Sequence, residues 1–318
     1  MDTWTLIGVV LLFLVISAIG LSRWKGTSPF SEDAQLRDRM ANSGKPTLWL
    51  FYDLSEVNAR WWMDFMGRSS RAINLPYLNL CYQTIMRHAS NYNVRVLSGL
   101  EDVATLMGGW ETLPSKMRDP RAPVGAAEKG WIRAAVLAKE GGLWLEPSVI
   151  VMSQIPLPEG NKVVFYGTDS DQLYIKQGDM GAPSFQGVFS PRAGHPAIQK
   201  MLAGASNGRL DGGGKEIRKD DVWDYSVACE DKAMCEAGGK ITLDRKANGK
   251  RIELEDLLAT VDGIPSPFKV PANTVFIPLP AREILDFRHF GWFARMSEEQ
   301  ILEAPLAVSA LFNKALGK

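Results

Sequence analysis

Apolar and polar positions along the chain fall into a strand–helix–strand rhythm. Thr47-Leu-Trp-Leu-Phe-Tyr52 is a continuous apolar run, as expected of a strand buried on both faces. From Pro76 to Ala89 the period is helical, with Tyr77, Leu80, Cys81, Thr84 and Ile85 on the inner face and Pro76 suited to the first turn. His88 shares that face and reads as a packing histidine. Asn93 to Leu97 predicts a second strand and Glu101 to Met107 a short helix, while Met107 to Pro123 is rich in glycine and proline and reads as loop. Connections of this length between apolar strands predict crossovers and a parallel sheet.

The stretch from Gly130 to Val151, G-W-I-R-A-A-V-L-A-K-E-G-G-L-W-L-E-P-S-V-I-V, changes period twice. From Trp131 to Lys139, Ile132, Ala135, Val136 and Leu137 mark a helix. Glu140-Gly141-Gly142 ends it, because glycine takes a left-handed cap conformation without a Cβ penalty. Leu143-Trp144-Leu145 is a short strand, broken by Glu146-Pro147-Ser148 and resumed at Val149 to Met152. Ligands of α/β proteins gather where strands end, so a carboxylate at that break is a site candidate.

Beyond it, Pro156 and Pro158 close a strand, Lys162 to Tyr166 opens another, and Ser184 to Ser190 is strand-like. Asp169, Asp171 and Asp179 lie in a polar segment; the first two have D-x-D spacing, which a solvated turn explains as well. Gly194-His195-Pro196 opens a helix to Leu202. Gly204 to Gly214 is glycine-rich but lacks a phosphate-loop pattern. Lys219 to Tyr225 starts a helix that Asp220 or Asp221 caps, Gly238 to Lys250 reads as turns, and Thr274 to Ile277 is a strand between prolines. Asp286 to Trp292 gathers Arg288, His289 and three aromatics. A last helix runs from a Ser297–Gln300 capping box to Ala315. There is no internal repeat.

The chain has 318 residues and 35.2 kDa, enough for one large core. Its 36 Lys and Arg balance 36 Asp and Glu, which leaves no global field for nucleic acid. Cys81, Cys229 and Cys235 show no metal-like spacing. Cys229 and Cys235 read as packing residues on a helix, pointing to a reducing compartment. Trp4 to Leu21 is almost wholly apolar, long enough at about 1.5 Å per residue to cross a hydrocarbon core of about 30 Å. Without a basic n-region or clean cleavage site it reads as an uncleaved, single-pass anchor. Arg23 and Lys25 follow the span and only Asp2 precedes it, so the positive-inside rule places the body in the cytoplasm. The expected organisation is an anchor over residues 1–25, a polar stem over 26–45, a domain over 46–295 and a terminal helix over 296–318.

Arg133, Leu137, Gly141, Gly142, Trp144, Glu146 and Ser148 carry a resemblance. The chain resembles the DXD-type nucleotide-sugar glycosyltransferases: the capsular-polysaccharide-synthesis proteins and the family-32-like enzymes that include yeast-type Golgi mannosyltransferases. The likeness is specific in its helix–GG–strand core and fainter over roughly residues 46–200. Two positions depart from the pattern. Gly130 stands where the family has an aspartate, and the element reads E-P-S, with Glu146 in place of the first aspartate. The resemblance implies an α/β type A glycosyltransferase fold, Rossmann-like with a mixed, mostly parallel sheet. It also implies a nucleotide-sugar donor, a glycan or polysaccharide acceptor, and Mn²⁺ or Mg²⁺ to neutralise the leaving diphosphate.

On that basis Glu146, Arg133 and His195 are the candidate catalytic residues, and Glu146, Ser148 and His289 the candidate metal ligands. Asp53, Arg60, Trp61 and Ser148 are the candidate donor-binding residues. Each has a plainer reading: Trp61 and Trp62 as core, His195 as helix entry, His289 as aromatic packing, and Arg133 as the partner of a structural Glu146. Two functions of different class follow. One is a membrane-anchored, metal-dependent transferase of a hexose. The other is a catalytically degenerate domain of the same fold, tethered to the membrane at residues 4–21 as a scaffold or binding module. Hydrolase patterns are absent: there is no G-x-S-x-G and no spaced His/Glu set.

Overall fold

A computed structural model of the protein describes residues 44–53, 75–119, 124–167, 186–206, 229, 231, 233–263, 266–286 and 288–318. The apolar runs form β1 (Thr47–Tyr52), β2 (Asn93–Ser98), β3 (Gly142–Leu145), β4 (Val149–Val151), β5 (Val163–Tyr166), β6 (Gly187–Ser190), β7 (Cys235–Ala237) and β8 (Phe276–Pro278). The helices are α1 (Pro76–His88), α2 (Leu100–Met107), α3 (Ala126–Glu140), α4 (Pro196–Ser206), α5 (Leu254–Leu257), α6 (Ala281–Asp286), α7 (Glu298–Glu303) and α8 (Ala307–Leu316). Six strands make one sheet in the order β2-β1-β3-β6-β5-β7. All run the same way except β6, which is antiparallel to both neighbours. The expected mixed α/β architecture with a mostly parallel sheet is present.

Strand alternation sorts the core into two layers. Leu48, Leu50, Tyr52, Leu143 and Leu145 face α1, the small β4–β8 sheet, α7 and α8. Trp49, Phe51, Trp144, Phe165 and Val188 face α2, α3 and α4. The tight turn between α3 and β3 shows why the glycine pair stands there. A Cβ on Gly142 would lie 2.2 Å from the Thr47 carbonyl oxygen of β1, and its φ is +91°. The Trp49 indole N–H donates to the Gly141 carbonyl at 2.9 Å, tying the turn to β1. Gly141 has the expected positive φ of 71°, but its ψ of −162° is extended rather than left-handed helical.

Several expectations need correction. The strand that resumes at Val149 does not continue the main sheet: β4 pairs antiparallel with β8 in a sheet of its own. The terminal helix is two helices, because Pro305 cannot donate into a helix and forces Ala304 to extended backbone with ψ 144°. Ser297 does cap α7, with reciprocal bonds to Gln300. Cys229 and Cys235 form a disulfide, with Cys235 in edge strand β7 rather than in a helix. The cysteine argument for a reducing compartment falls with it, since disulfides persist in oxidising environments. His88 is a packing histidine, its ring bonded to the Ala315 carbonyl at the end of α8.

The Trp4–Leu21 span, Arg60, Trp61, Asp169, Asp171, Asp179 and the glycine-rich stretch after Ser206 lie outside the described residues. Among the described residues no helix is long and apolar enough to cross a membrane.

Candidate active site

β1 and β3 are parallel neighbours, so their carboxyl ends open at the same edge of the sheet. Asp53 follows β1 there and Glu146 follows β3. The backbone of Glu146 is held on both sides: its N–H donates to the Gln186 carbonyl at 2.9 Å, and its carbonyl accepts from Gln186 Nε2 at 3.2 Å. Pro147 then turns the chain out of the main sheet. Ser148 is locked to the segment after β8, its hydroxyl donating to the Leu279 carbonyl at 2.9 Å and its own carbonyl accepting from the Leu279 N–H. The E-P-S element is therefore the crossing from one sheet to the other, and both of its ends are fixed.

Alternation aims the side chains. Glu146 follows β3 directly, two residues after Trp144 and bonded by its N–H to Gln186, so the strand's alternation carries both side chains to the face covered by α3. The Trp144 indole N–H donates to Glu146 Oε1 at 3.1 Å. Arg133 of α3 approaches the same oxygen, its Nη1 at 3.9 Å. That is an ion pair by charge but too long for a hydrogen bond. The Arg133 side chain is 4% exposed and that of Glu146 35%, so the carboxylate stands at the pocket's wall and the guanidinium behind it.

The pocket is lined by Phe51, Tyr52, Asp53, Leu75, Tyr77, Leu78, Lys129, Trp144, Glu146, Pro147, Ser148, Ala281 and Leu285. Burial pushes Tyr52 well above the ordinary phenol range, with Cys81, Tyr82 and Tyr77 adding to it, so Tyr52 is a neutral hydroxyl and not a base. Asp53, Glu146 and Ser148, three of the residues singled out in the sequence, are thus brought to one place, with Arg133 behind them. Lys129 was missed, although it precedes Arg133 by four residues and so shares its helix face. The contributions of Tyr77, Ala281 and Leu285 carry no local signal.

Two histidines are not brought there. His195 is buried at the entry to α4; one ring nitrogen bonds the Asn161 carbonyl at 2.9 Å and the other accepts from the Ala197 N–H at 3.3 Å. Backbone groups use both nitrogens, and the residue is not part of the pocket lining. His289 is exposed, its ring against Phe290 in a 3-10 turn, and it does not line the pocket either. Asp53 and Leu75, which flank the segment holding Arg60 and Trp61, both do.

No protein-family model matches the chain, and no curated protein matches it. Among solved structures it is similar to the PaToxG glycosyltransferase, at 11% identity and TM-score 0.33 over 59% of this chain and 69% of that one. It is also similar to a mutant transferase, at 10% identity and TM-score 0.30 over 57% of this chain and 84% of that one. Neither likeness assigns a residue here, and the chemistry is read from the pocket.

Among the described residues no group of three or more His, Cys, Asp or Glu side chains could hold a metal ion. Asp53, Glu146 and Ser148 offer two carboxylates and a hydroxyl whose proton is already donated. Mg²⁺ is commonly held by one or two carboxylates together with substrate phosphates and water. Of the described pocket residues, Asp53 and Glu146 are the ones whose carboxylates could take part in such a site.

Proposed function

We propose that the pocket at the ends of β1 and β3 binds a nucleotide sugar, and that the protein is a membrane-anchored transferase of a hexose to a glycan or polysaccharide acceptor. The observation that carries this reading is Glu146: a partly exposed carboxylate on an immobilised backbone at a strand end, in one pocket with Asp53, Ser148 and Lys129. Preorganised charge of this kind is what stabilises developing charge in a transition state. In the reaction the acceptor hydroxyl oxygen bonds to the anomeric carbon while the bond from that carbon to the diphosphate breaks, and the hydroxyl proton passes to the departing diphosphate or to water. Asp53 and Glu146 would hold Mn²⁺ or Mg²⁺, which would offset charge on the departing diphosphate. Arg133 positions Glu146 from behind, and the indole of Trp144 fixes its rotamer. The apolar wall of Phe51, Leu75, Tyr77 and Leu78 excludes water around the reacting bond.

A catalytically degenerate binding domain is the second reading. It is favoured by the contacts of Glu146 Oε1, which already accepts from Trp144 and faces Arg133, so the carboxylate is partly compensated without any ligand. Binding of UDP, GDP and their sugars to the full chain in detergent, with and without Mn²⁺, separates the two. Metal-dependent binding of one nucleotide, abolished in Glu146→Ala, supports the transferase. No binding at millimolar ligand by the folded chain would overturn it and leave the scaffold.

A further inference from the structure

The chain enters the domain at the edge of the sheet opposite the pocket. β1 runs from that edge to Phe51, Tyr52 and Asp53, which line the pocket, and α1 returns from Leu75, Tyr77 and Leu78 to end at His88. At the entry edge Lys45 Nζ donates to the Ser90 carbonyl, Arg87 Nη1 to the Leu316 carbonyl and the Tyr92 hydroxyl to the Pro156 carbonyl. These bonds gather three segments into one surface: the end of α1 with the turn after it, the last turn of α8, and the loop at Pro156. Lys45, Arg87, Lys314 and Lys318 are exposed there, against Glu159 in the loop. The acceptors of Lys45 and Arg87 are neutral carbonyls, so both charges persist. Met86 and Leu157, the neighbours of Arg87 and Pro156, are 46% and 45% exposed, two of the four exposed large apolar side chains among the described residues.

Only residues 22–43 separate the apolar stretch Trp4–Leu21 from Gly44, where the described chain begins. A tether that short holds this edge at high effective concentration against the bilayer. Cations interspersed with exposed apolar side chains are what an anionic lipid surface binds: the charges meet headgroups and the apolar groups enter the interface. We propose that this surface docks on the anionic lipid headgroups of the membrane that holds the anchor. The six residues of β1, at about 3.3 Å each, then hold the pocket about 20 Å off the lipid. The acceptor is accordingly a glycan that extends out from the bilayer, not a sugar at headgroup level. This rests on the membrane-anchored transferase reading above.

The experiment places a fluorophore on the full chain in lipid nanodiscs with and without anionic lipid. One label is at Asn91→Cys, exposed in the turn after α1; the control is at Glu101→Cys, exposed at the start of α2 on the pocket's edge of the sheet. Cys81 is buried and Cys229 is bonded to Cys235, so the introduced thiol takes the label. In anionic discs a headgroup-borne quencher should reach the Asn91 label and not the Glu101 label, and without anionic lipid the quenching should fade. Lys314→Ala with Lys318→Ala should lower the ratio of docked to undocked protein by at least about tenfold at an unchanged melting temperature, at about fivefold for each cation. No quenching at Asn91 in anionic discs, equal quenching at both labels, or undiminished quenching in the double variant overturns the proposal. So does an Asn91 label shielded from aqueous iodide yet out of the lipid quencher's reach, which means that a second copy of the chain covers the face. Alkaline carbonate tests the anchor separately: if it strips the chain from membranes while Asn91 is still quenched in anionic discs at neutral pH, the docking surface stands and the anchor falls. The labels report docking whether or not a nucleotide binds, so failure of the donor reading is read apart from failure of the surface.

Discussion

Two glutamates, one in the first turn of α3 and one just past β3, each have a cation beside them, yet they do opposite things. Glu128, in the first turn, is 3% exposed, bonded to Lys116 and closing the helix N-terminus by accepting from the Gly125 N–H. Glu146, just past β3, is 35% exposed, bonded to one indole and 3.9 Å from a guanidinium. Glu128 has its partners at hydrogen-bond distance and is shut away from water. Glu146 is held rigidly through its backbone while its carboxylate still reaches a pocket. A buried carboxylate must be satisfied to be tolerated. One that is to bind a ligand has to keep part of its capacity open. The contrast separates a carboxylate that maintains the fold from one that the proposed function would place at the reacting diphosphate.

The largest effect should come from a change that destroys the frame both glutamates share. Gly142→Ala puts a Cβ into the Thr47 carbonyl at a positive φ, so β3 must leave its register with β1. A loss of about 3–5 kcal/mol, or no folded protein at all, is expected; an unchanged urea midpoint would mean that the turn does not set the register. Next is Glu128→Ala, which leaves the first turn of α3 uncapped and removes a charge-assisted bond to Lys116. Chemical denaturation should show about 2 kcal/mol of destabilisation, with nucleotide affinity unaltered in the protein that remains folded.

Glu146→Gln should reverse that pattern. The amide oxygen can still accept from Trp144, so stability should change by about 1 kcal/mol or less, as for a partly exposed pair. Metal-dependent binding should fall at least about tenfold by titration calorimetry. Equal stability losses in the two glutamate variants would erase the distinction between them.

The smallest effect belongs to a third acid–cation contact, Asp256 with Lys246. Burial alone would raise this carboxyl, but the Lys246 hydrogen bond, the Glu253 N–H and the Lys246 charge outweigh it and hold it below its ordinary value of 3.8. A folded pKa below the unfolded one contributes stability at pH above the ordinary value, lost as pH falls through the lowered one. Urea midpoints should therefore decline as the pH drops below about 4, and the decline should be shallower in Asp256→Asn.

Much of the architecture was legible in the sequence because it is local. The apolar run of β1, the Pro76 start of α1, the Gly-Gly stop after α3 and the Ser297–Gln300 cap each depend on neighbours within a few residues. The misreadings share a cause. Val149–Val151 looks like a continuation of β3, and only its pairing with Phe276–Pro278 puts it in another sheet. Cys229 and Cys235 read as packing because spacing does not reveal whether two Cβ atoms approach. His195 looked like a candidate ligand beside its glycine and proline; its use is decided by the Asn161 carbonyl, 34 residues away.

The sequence by itself determined the alternating elements, the strand break at Glu146-Pro147-Ser148 and the presence of a carboxylate there, since periodicity and backbone chemistry act over one or two turns. Only the tertiary structure decided that Asp53 and Glu146 open on one edge, that Lys129 lines their pocket and that Arg133 stands behind it. Those relations depend on the order in which parallel strands pair and on which face a helix covers. They are set by burial summed over the whole core, to which no short stretch of sequence holds the key.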